Sequence, residues 1–345
     1  MIRISAITPG INVPSSRYRV RQYIPVLNKA GITVSEFPSK INYSSGLPGF
    51  LGRVKQSYIF PVSASWIGVK TISRLSDIIK SNQYDAVWLN RIIVSSVFLE
   101  KFINRPLVYD IDDAIWINNE RIISKIGKRA EIILAGNTFI AEWFSTINAN
   151  VRIIPTAINT EWFKPSDSTS DGLFKIVWTG SSQTIHYLMS IEKALASFLN
   201  ERRNSLLIVI SDSYPLFKSI KPERIRFIKW TPIDELSAIR GAQVGIMPLD
   251  NSPWERGKCS FKMLQYMACG LPVLVSPVGM NTEVLSKDDV GLAAFKDDDW
   301  SSGLEFFYKN PDKNKILGIN GRLVIEKYYC LDIVVKLLVD IFLNL

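Results

Sequence analysis

Histidine is almost absent from the chain: His186 is the single one in 345 residues. A Ser/His or Cys/His hydrolase and a histidine-rich metal site are therefore disfavoured. Cysteine is nearly as scarce. Cys259, Cys269 and Cys330 are too few and too scattered for a disulfide framework or a zinc site, and they read as reduced, cytosolic thiols. The opening residues read as a strand and lack the long apolar core of a signal peptide, so export is not expected. No internal repeat is visible, and no G-x-G-x-x-G fingerprint, which argues against a dinucleotide cofactor. Acid is scarce in one stretch only. Residues 1–105 hold 14 Lys+Arg against 4 Asp+Glu, a balance of +10, while the whole chain carries +9. Such a basic half can face nucleic acid, an anionic membrane or a charged acceptor, or simply aid solubility. No zinc finger, RNA-recognition signature or basic helical run accompanies it, so nucleic acid is not expected as a partner. An anionic membrane surface adds about 1 kcal/mol per Lys or Arg held near it.

What is present is globular: 47% hydrophobic and 21% charged residues, in a chain long enough for about two domains. Short apolar runs alternate with helix-length amphipathic stretches throughout. Strands are expected at 2–7, 32–37, 86–89, 107–109, 132–134 and 152–154, with helices such as 18–29, 66–81 and 138–146 between them. A polar segment rich in Ser, Asp, Pro and Gly at 163–172 reads as a linker. The alternation then restarts, with strands at 174–178, 206–210, 226–228, 244–247, 273–275 and 292–295 and a helix at 184–198. Residues 322–342 read as one final helix, far short of the ~20 uncharged residues of a membrane span. Strands alternating with helices imply parallel sheets flanked by helices. The expectation is an α/β chain of two Rossmann-like, doubly wound domains, 1–164 and 165–321. A C-terminal helix at 322–345 has a route back to the first domain open to it.

Ligands of open parallel sheets bind beyond the carboxyl ends of the strands. Three loops there stand out. After the first strand, Gly10 lets the backbone turn beside Asn12. The run that follows contains Arg17, Arg19 and Arg21, which either meet acceptor phosphate or sit solvated on a helix. In the second domain, Thr179, Gly180 and Ser181 can offer N–H groups and hydroxyls to a phosphate, or simply cap a helix near Thr184. The third loop is the most informative. Ser260 reads as an N-cap, Gly270 as a C-terminal stop, and Pro272 opens a buried strand. Lys258 and Lys262 place cations at the positive end of that helix, which costs a few tenths of a kcal/mol unless an anion binds there. The N–H groups at Ser260 and Phe261 face the same anion, and Lys262 and Gln265, three apart, share a face.

This third segment resembles the donor-binding signature of family 4 of the retaining glycosyltransferases, whose fold is GT-B. The run Gln265-Tyr-Met-Ala-Cys-Gly-Leu-Pro-Val-Leu is similar to that family's "Glu-Ala-Met-Ala-x-Gly-x-Pro-Val-Val". The segments at 154–165 and at 230–236, which contains Trp230, also look like the family's interdomain run and its base-contacting run. Two departures stand out. The family's Glu-x7-Glu pair becomes Gly257 and Gln265, with Glu255 near but out of register. Its His near the donor sugar is replaced in the segment Asp110, Asp112, Asp113.

The resemblance implies a hexosyl-type transferase working at a central cleft, with a UDP- or GDP-linked sugar as donor and no cofactor. The acceptor would be a glycan or a lipid-linked molecule in surface-polysaccharide synthesis, and the location the cytoplasm or the inner face of the plasma membrane. Donor contacts fall to Gly10, Asn12, Thr179, Gly180, Ser181, Trp230, Lys258, Ser260, Phe261, Lys262 and Gln265. Asp112 and Asp113 orient sugar or acceptor hydroxyls, one as general base. Asp-x-Asp could instead hold a divalent metal, but the cationic third loop already supplies what a metal would, and metal-free use is preferred. Asp110 could equally be structural, pairing an Arg. The alternatives are a catalytically degenerate GT-B scaffold, suggested by Gly257, and a sugar-nucleotide epimerase-like enzyme.

Overall fold

The computed structural model describes residues 2–41, 60–166 and 171–345. The middle of the expected linker, 167–170, and two of the first-half cations, Arg53 and Lys55, lie outside them. The chain forms two compact units. One comprises Met1–Ala157, Gly257–Cys259 and Val334–Leu345, and the other Ile158–Arg256 and Ser260–Ile333. The division after Ala157 falls seven residues before the boundary expected from composition, and the last dozen residues group with the first unit.

In the first unit the strands are β1 (Ile2–Thr8), β2 (Ile32–Pro38), β3 (Ala86–Asn90), β4 (Leu107–Ile111), β5 (Ile132–Ala135) and β6 (Val151–Ile153). They form one parallel sheet in the order β2-β1-β3-β4-β5-β6. Helices α1 (Ile24–Lys29), α2 (Phe60–Ser81), α3 (Trp116–Arg129) and α4 (Thr138–Ser145) connect them. Every residue of β3, β4 and β5 is buried. Strands covered on both faces read as unbroken apolar runs, which makes them visible in the sequence. The helix expected over 18–29 is instead a π turn at Ser16–Val20, a 3₁₀ turn at Arg21–Tyr23 and then α1. Pro25 lacks an N–H and fits only the first turn of a helix, so one regular α-helix cannot run unbroken through 18–29, and α1 begins at Ile24.

The second unit holds β7 (Phe174–Thr179), β8 (Ser205–Ser211), β9 (Ile225–Lys229), β10 (Val244–Met247), β11 (Val273–Val275) and β12 (Gly291–Ala293). Their order is β12-β11-β10-β7-β8-β9, again parallel. Its helices are α5 (Ile185–Ser190), α6 (Glu192–Glu201), α7 (Pro232–Arg240), α8 (Pro253–Arg256), α9 (Phe261–Ala268), α10 (Met280–Leu285), α11 (Asp297–Lys309) and α12 (Pro311–Val324). The chain ends in α13 (Leu331–Leu343). The helix expected over 184–198 breaks at Ile191, whose non-helical backbone seats that side chain in the core. The single helix expected over 322–342 also breaks. Cys330 is extended (φ −76°, ψ 159°) and pairs with Ile158, which donates to Tyr329 O at 2.8 Å and accepts from Leu331 N at 3.2 Å. Those bonds replace the helical ones. Among the described residues no helix is long and apolar enough to cross a membrane.

One buried carboxyl in the first unit carries a pH prediction. Glu100 is fully buried; its Oε1 accepts from Ile93 N at 2.9 Å, while Oε2 is without a partner. Burial pushes its pKa up to about 7. A carboxyl raised on folding adds stability below its unfolded pKa and loses it as pH climbs through the folded value. Between pH 5 and 8 the protein is expected to lose about 2.5 kcal/mol from this group. Glu100→Gln keeps an acceptor for Ile93 and should abolish that part of the slope in urea titrations run at the two pH values.

Candidate functional site

In each sheet the strand order reverses beside the first strand of the unit, and loops at such a point receive ligands. In the first unit these are the loops after β1 and β3. Gly10 there has φ +154°, and a Cβ on it would lie 3.3 Å from Ser39 O, so the position favours glycine. Asn12 is exposed. Of the arginines that follow, Arg19 is neither solvated nor open to phosphate, while Arg17 and Arg21 are partly exposed. Arg19 is fully buried, with Nε donating to Asp110 Oδ1 at 2.8 Å and Nη1 to Ile154 O at 2.5 Å. Trp88 Nε1 donates to the other Asp110 oxygen at 3.0 Å, so Asp110 is a structural anchor. Arg21 pairs with Glu36.

The loop after β3 contains a residue that the sequence does not single out. Arg91 has φ +66°, one of two non-glycine residues in the left-handed region among those described. Such a backbone costs about 1–3 kcal/mol, and the surroundings must enforce it. Its Nε lies 2.6 Å from Asp112 Oδ1, and its Nη2 pairs with Asp113. Burial raises both carboxyls. At Asp112 the Arg91 guanidinium wins and holds it below the usual carboxylate range, whereas at Asp113 burial prevails and the pKa is raised.

The short segment Gly257–Cys259 belongs to this unit. The Cys259 thiol donates to Asp112 O at 2.9 Å, Asn137 Nδ2 donates to Lys258 O at 3.0 Å, and the charge of Lys258 acts on Asp113. Burial pushes the Cys259 thiol up to about 12, so it packs rather than reacts. A Cβ on Gly257 would lie 2.5 Å from Ala114 Cβ and 2.7 Å from Ala114 N. Glycine stands there because the backbone runs against Ala114.

In the second unit the reversal lies between β7 and β10. The loop after β7 does not offer free amides. Thr179 N donates to Tyr266 Oη, Gly180 N to Ile210 O, Ser181 N to Thr184 Oγ1 and Ser182 N to Asp212 Oδ1. The expected cradle of N–H groups is therefore already filled, and the Asp212 carboxylate beside it disfavours an anion. Gly180 is needed for space, since a Cβ there would run into the Trp178 ring.

The start of α9 is different. Ser260 sits at its N-cap position with φ +51° and makes no side-chain cap bond, contrary to expectation. In the left-handed region its hydroxyl does not reach back over the first turn. Lys262 extends its Nζ to 5.0 Å from the Trp178 ring centre. Gly270 (φ +76°) ends the helix as its sequence position suggested.

Gln265, Thr179, Trp230 and Lys262 converge on one carboxylate that the sequence alone does not mark, Glu235 in the first turn of α7. Thr179 Oγ1 donates to its Oε1 at 2.6 Å and Gln265 Nε2 to its Oε2 at 3.2 Å. The Trp230 side chain hydrogen-bonds it, and the charge of Lys262 acts on it. Burial raises its pKa. A signal exists in the acidic first turn after Thr231, but nothing local shows that Glu235 points inward. Glu255 is also buried, held by the hydroxyls of Tyr187 and Ser252. Among the described residues no group of three His, Cys, Asp or Glu side chains is placed to hold a metal ion.

Residues 174–306 match the family model "Glycosyl transferases group 1". No curated protein matches the sequence. Among solved structures, sucrose-phosphate synthase from Thermosynechococcus elongatus is 15% identical with a TM-score of 0.72, over 100% of this chain and 99% of that one. HepE from Anabaena, solved with UDP and glucose, is 12% identical with a TM-score of 0.70 over 100% of both chains. A putative UDP-N-acetylglucosamine 2-epimerase from Listeria monocytogenes is 11% identical with a TM-score of 0.60, over 97% of this chain and 94% of that one. Residues 174–306 thus resemble the glycosyl transferases of group 1, and the two parallel sheets with their flanking helices give the chain the GT-B fold.

Proposed function

We propose that the chain transfers a sugar, with retention of anomeric configuration, from a UDP- or GDP-linked donor to a glycan or lipid-linked acceptor in surface-polysaccharide assembly. The observation that carries this reading is the gathering of Thr179, Trp230, Lys262 and Gln265 around Glu235 at the carboxyl edge of the second sheet. A relative of the same fold, HepE, has been solved with UDP-glucose.

The donor diphosphate lies at the amino end of α9. Breaking the bond between the sugar and the diphosphate leaves more charge on the phosphate. Lys262, with Lys258 just upstream in the chain, neutralises it together with the positive end of the helix. Asp112 or Asp113 orients the acceptor hydroxyl or takes its proton. Metal-free use is supported by the pairing of Asp110 with Arg19 and of Asp112 and Asp113 with Arg91, which leaves little net negative charge to attract a divalent cation. Work at the inner face of the plasma membrane is supported by the excess of Lys and Arg in residues 1–105.

Lys258→Ala and Lys262→Ala are each expected to lower turnover of a nucleotide sugar by at least about tenfold, the kinetic equivalent of about 1.4 kcal/mol. Unchanged turnover in both would remove the phosphate site from α9. Calorimetry with UDP, GDP and their sugars separates an enzyme from a scaffold that has lost donor chemistry, because the scaffold gives no heat with any of them.

A further inference from the structure

Helix α2 has its polarity inverted. A helix that packs on a sheet normally turns its apolar stripe to the core and its charges to water. In α2 the buried stripe is Lys70, Arg74, Ile78 and Ser81, all at helical spacing. Arg74 is committed inward: Nη1 donates to Asp77 Oδ2 at 2.7 Å and to Phe37 O at 3.3 Å, and Nη2 to Thr8 O at 3.3 Å. The opposite stripe is Val69, Ile72, Leu75 and Ile79, exposed by 46%, 71%, 38% and 67%. Exposed apolar side chains scattered singly need no explanation, but four on one face of one helix form a patch.

The carboxyl end of this patch is cationic. Lys80 is exposed in the last turn of α2. Asn82, just beyond the helix, donates through Nδ2 to Phe102 O at 2.9 Å, and its own backbone O accepts from Arg105 Nε at 2.9 Å. Those two bonds bring Lys101, Phe102 and Arg105, all exposed, to the same end. The acids of these segments are spent elsewhere. Asp77 pairs with Arg74, Glu100 is fully buried, and Asp85, a little further on, pairs with Arg3. Cations beside an apolar face complement a surface that is apolar within and anionic at its rim. A second copy of the chain offers no such match. The first turn of α2 holds no acid, so neither a parallel nor an antiparallel pairing of two α2 helices would neutralise Lys80, Lys101 and Arg105.

We propose that the α2 face formed by Val69, Ile72, Leu75 and Ile79, with Lys80, Lys101 and Arg105 at its end, docks the chain on an anionic lipid bilayer. The inference rests on the membrane location in the proposed function, not on the donor chemistry, and adds the element that touches lipid. The helix lies flat, its aliphatic side chains enter between the headgroups, and the cationic groups stay level with the lipid phosphates.

The test is co-sedimentation of the full chain with vesicles of phosphatidylcholine, and with vesicles of phosphatidylcholine and phosphatidylglycerol in equal parts. The wild-type protein is expected to bind the mixed vesicles about tenfold or more tightly at low salt, with most of the gap lost at high salt. Ile72→Gln with Ile79→Gln keeps good helix formers and should weaken binding to the mixed vesicles by about tenfold or more. Its urea midpoint should match the wild type, because both side chains are exposed. Lys80→Gln with Lys101→Gln should weaken binding to the mixed vesicles and leave binding to phosphatidylcholine unchanged. Wild-type binding by the isoleucine variant overturns α2 as the docking face and leaves the membrane location standing. A dimer that the isoleucine exchanges dissociate, without vesicle binding, makes a second copy the occupant and overturns the proposal. Absence of vesicle binding by the wild-type protein overturns both the docking face and the membrane location.

Discussion

Gly257→Glu, which would restore the carboxylate of the family pattern, is expected to disrupt the first unit and to leave no measurable gain in activity. The reason is space. A Cβ at 257 would lie 2.5 Å from the methyl group of Ala114, 2.7 Å from its amide nitrogen and 3.1 Å from its Cα. Backbone atoms cannot swing aside as the end of a flexible side chain can. Ala114 is itself fully buried. Overpacking alone costs about 1–3 kcal/mol, and the new carboxylate would arrive beside Asp112 and Asp113, which already share the single guanidinium of Arg91. A loss of more than about 3 kcal/mol is expected in urea unfolding. Gly257→Ala isolates the steric part and should already lower the midpoint. A variant Gly257→Glu with wild-type stability and faster turnover would show instead that the position is a catalytic residue lost by chance.

Arg19→Ala is expected to cost about 3–5 kcal/mol, because it strands a buried carboxylate. Arg19 and Asp110 are each about 1% exposed, and the guanidinium also satisfies Ile154 O. Burial already pushes the Asp110 pKa up to about 6 even with its partner in place. Without Arg19 the carboxyl should take up a proton more readily, so the destabilisation is expected to shrink at pH 5 relative to pH 8. Urea titrations of the wild-type and Arg19→Ala proteins at the two pH values decide the matter. Equal midpoints at pH 8 would show that the pair contributes nothing. An equal loss at both pH values would place the effect in packing rather than in the stranded charge.

The inner strands β3, β4, β5, β10 and β11 are legible because each is an apolar run of strand length, and burial on both faces leaves that signature in the chain itself. Helix ends are less so. The break at Cys330 comes from pairing with Ile158, a partner remote in sequence, and the late start of α1 depends on what Pro25 permits once Arg19 is drawn inward. The same contrast divides the site. Lys262, Gln265 and Gly270 lie in one short motif, so their spacing can be read directly. Glu235 and Arg91 acquire meaning only through partners delivered by other strands. Arg19 misleads for the opposite reason: it sits among Arg17 and Arg21, where a run of cations looks like a wet surface.

The last dozen residues carry a consequence for biosynthesis. Phe342 packs on Trp88, with ring centres 5.1 Å apart, and both are fully buried in the first unit. While the ribosome makes residues 158–333, that hydrophobic core stands open with its final side chains still unmade. The amino-terminal half is thus translated first but closed last. A chaperone-dependent wait, or a carboxyl-terminal tag that hinders the docking of Phe342, should therefore be felt most in the part of the protein farthest from it in sequence.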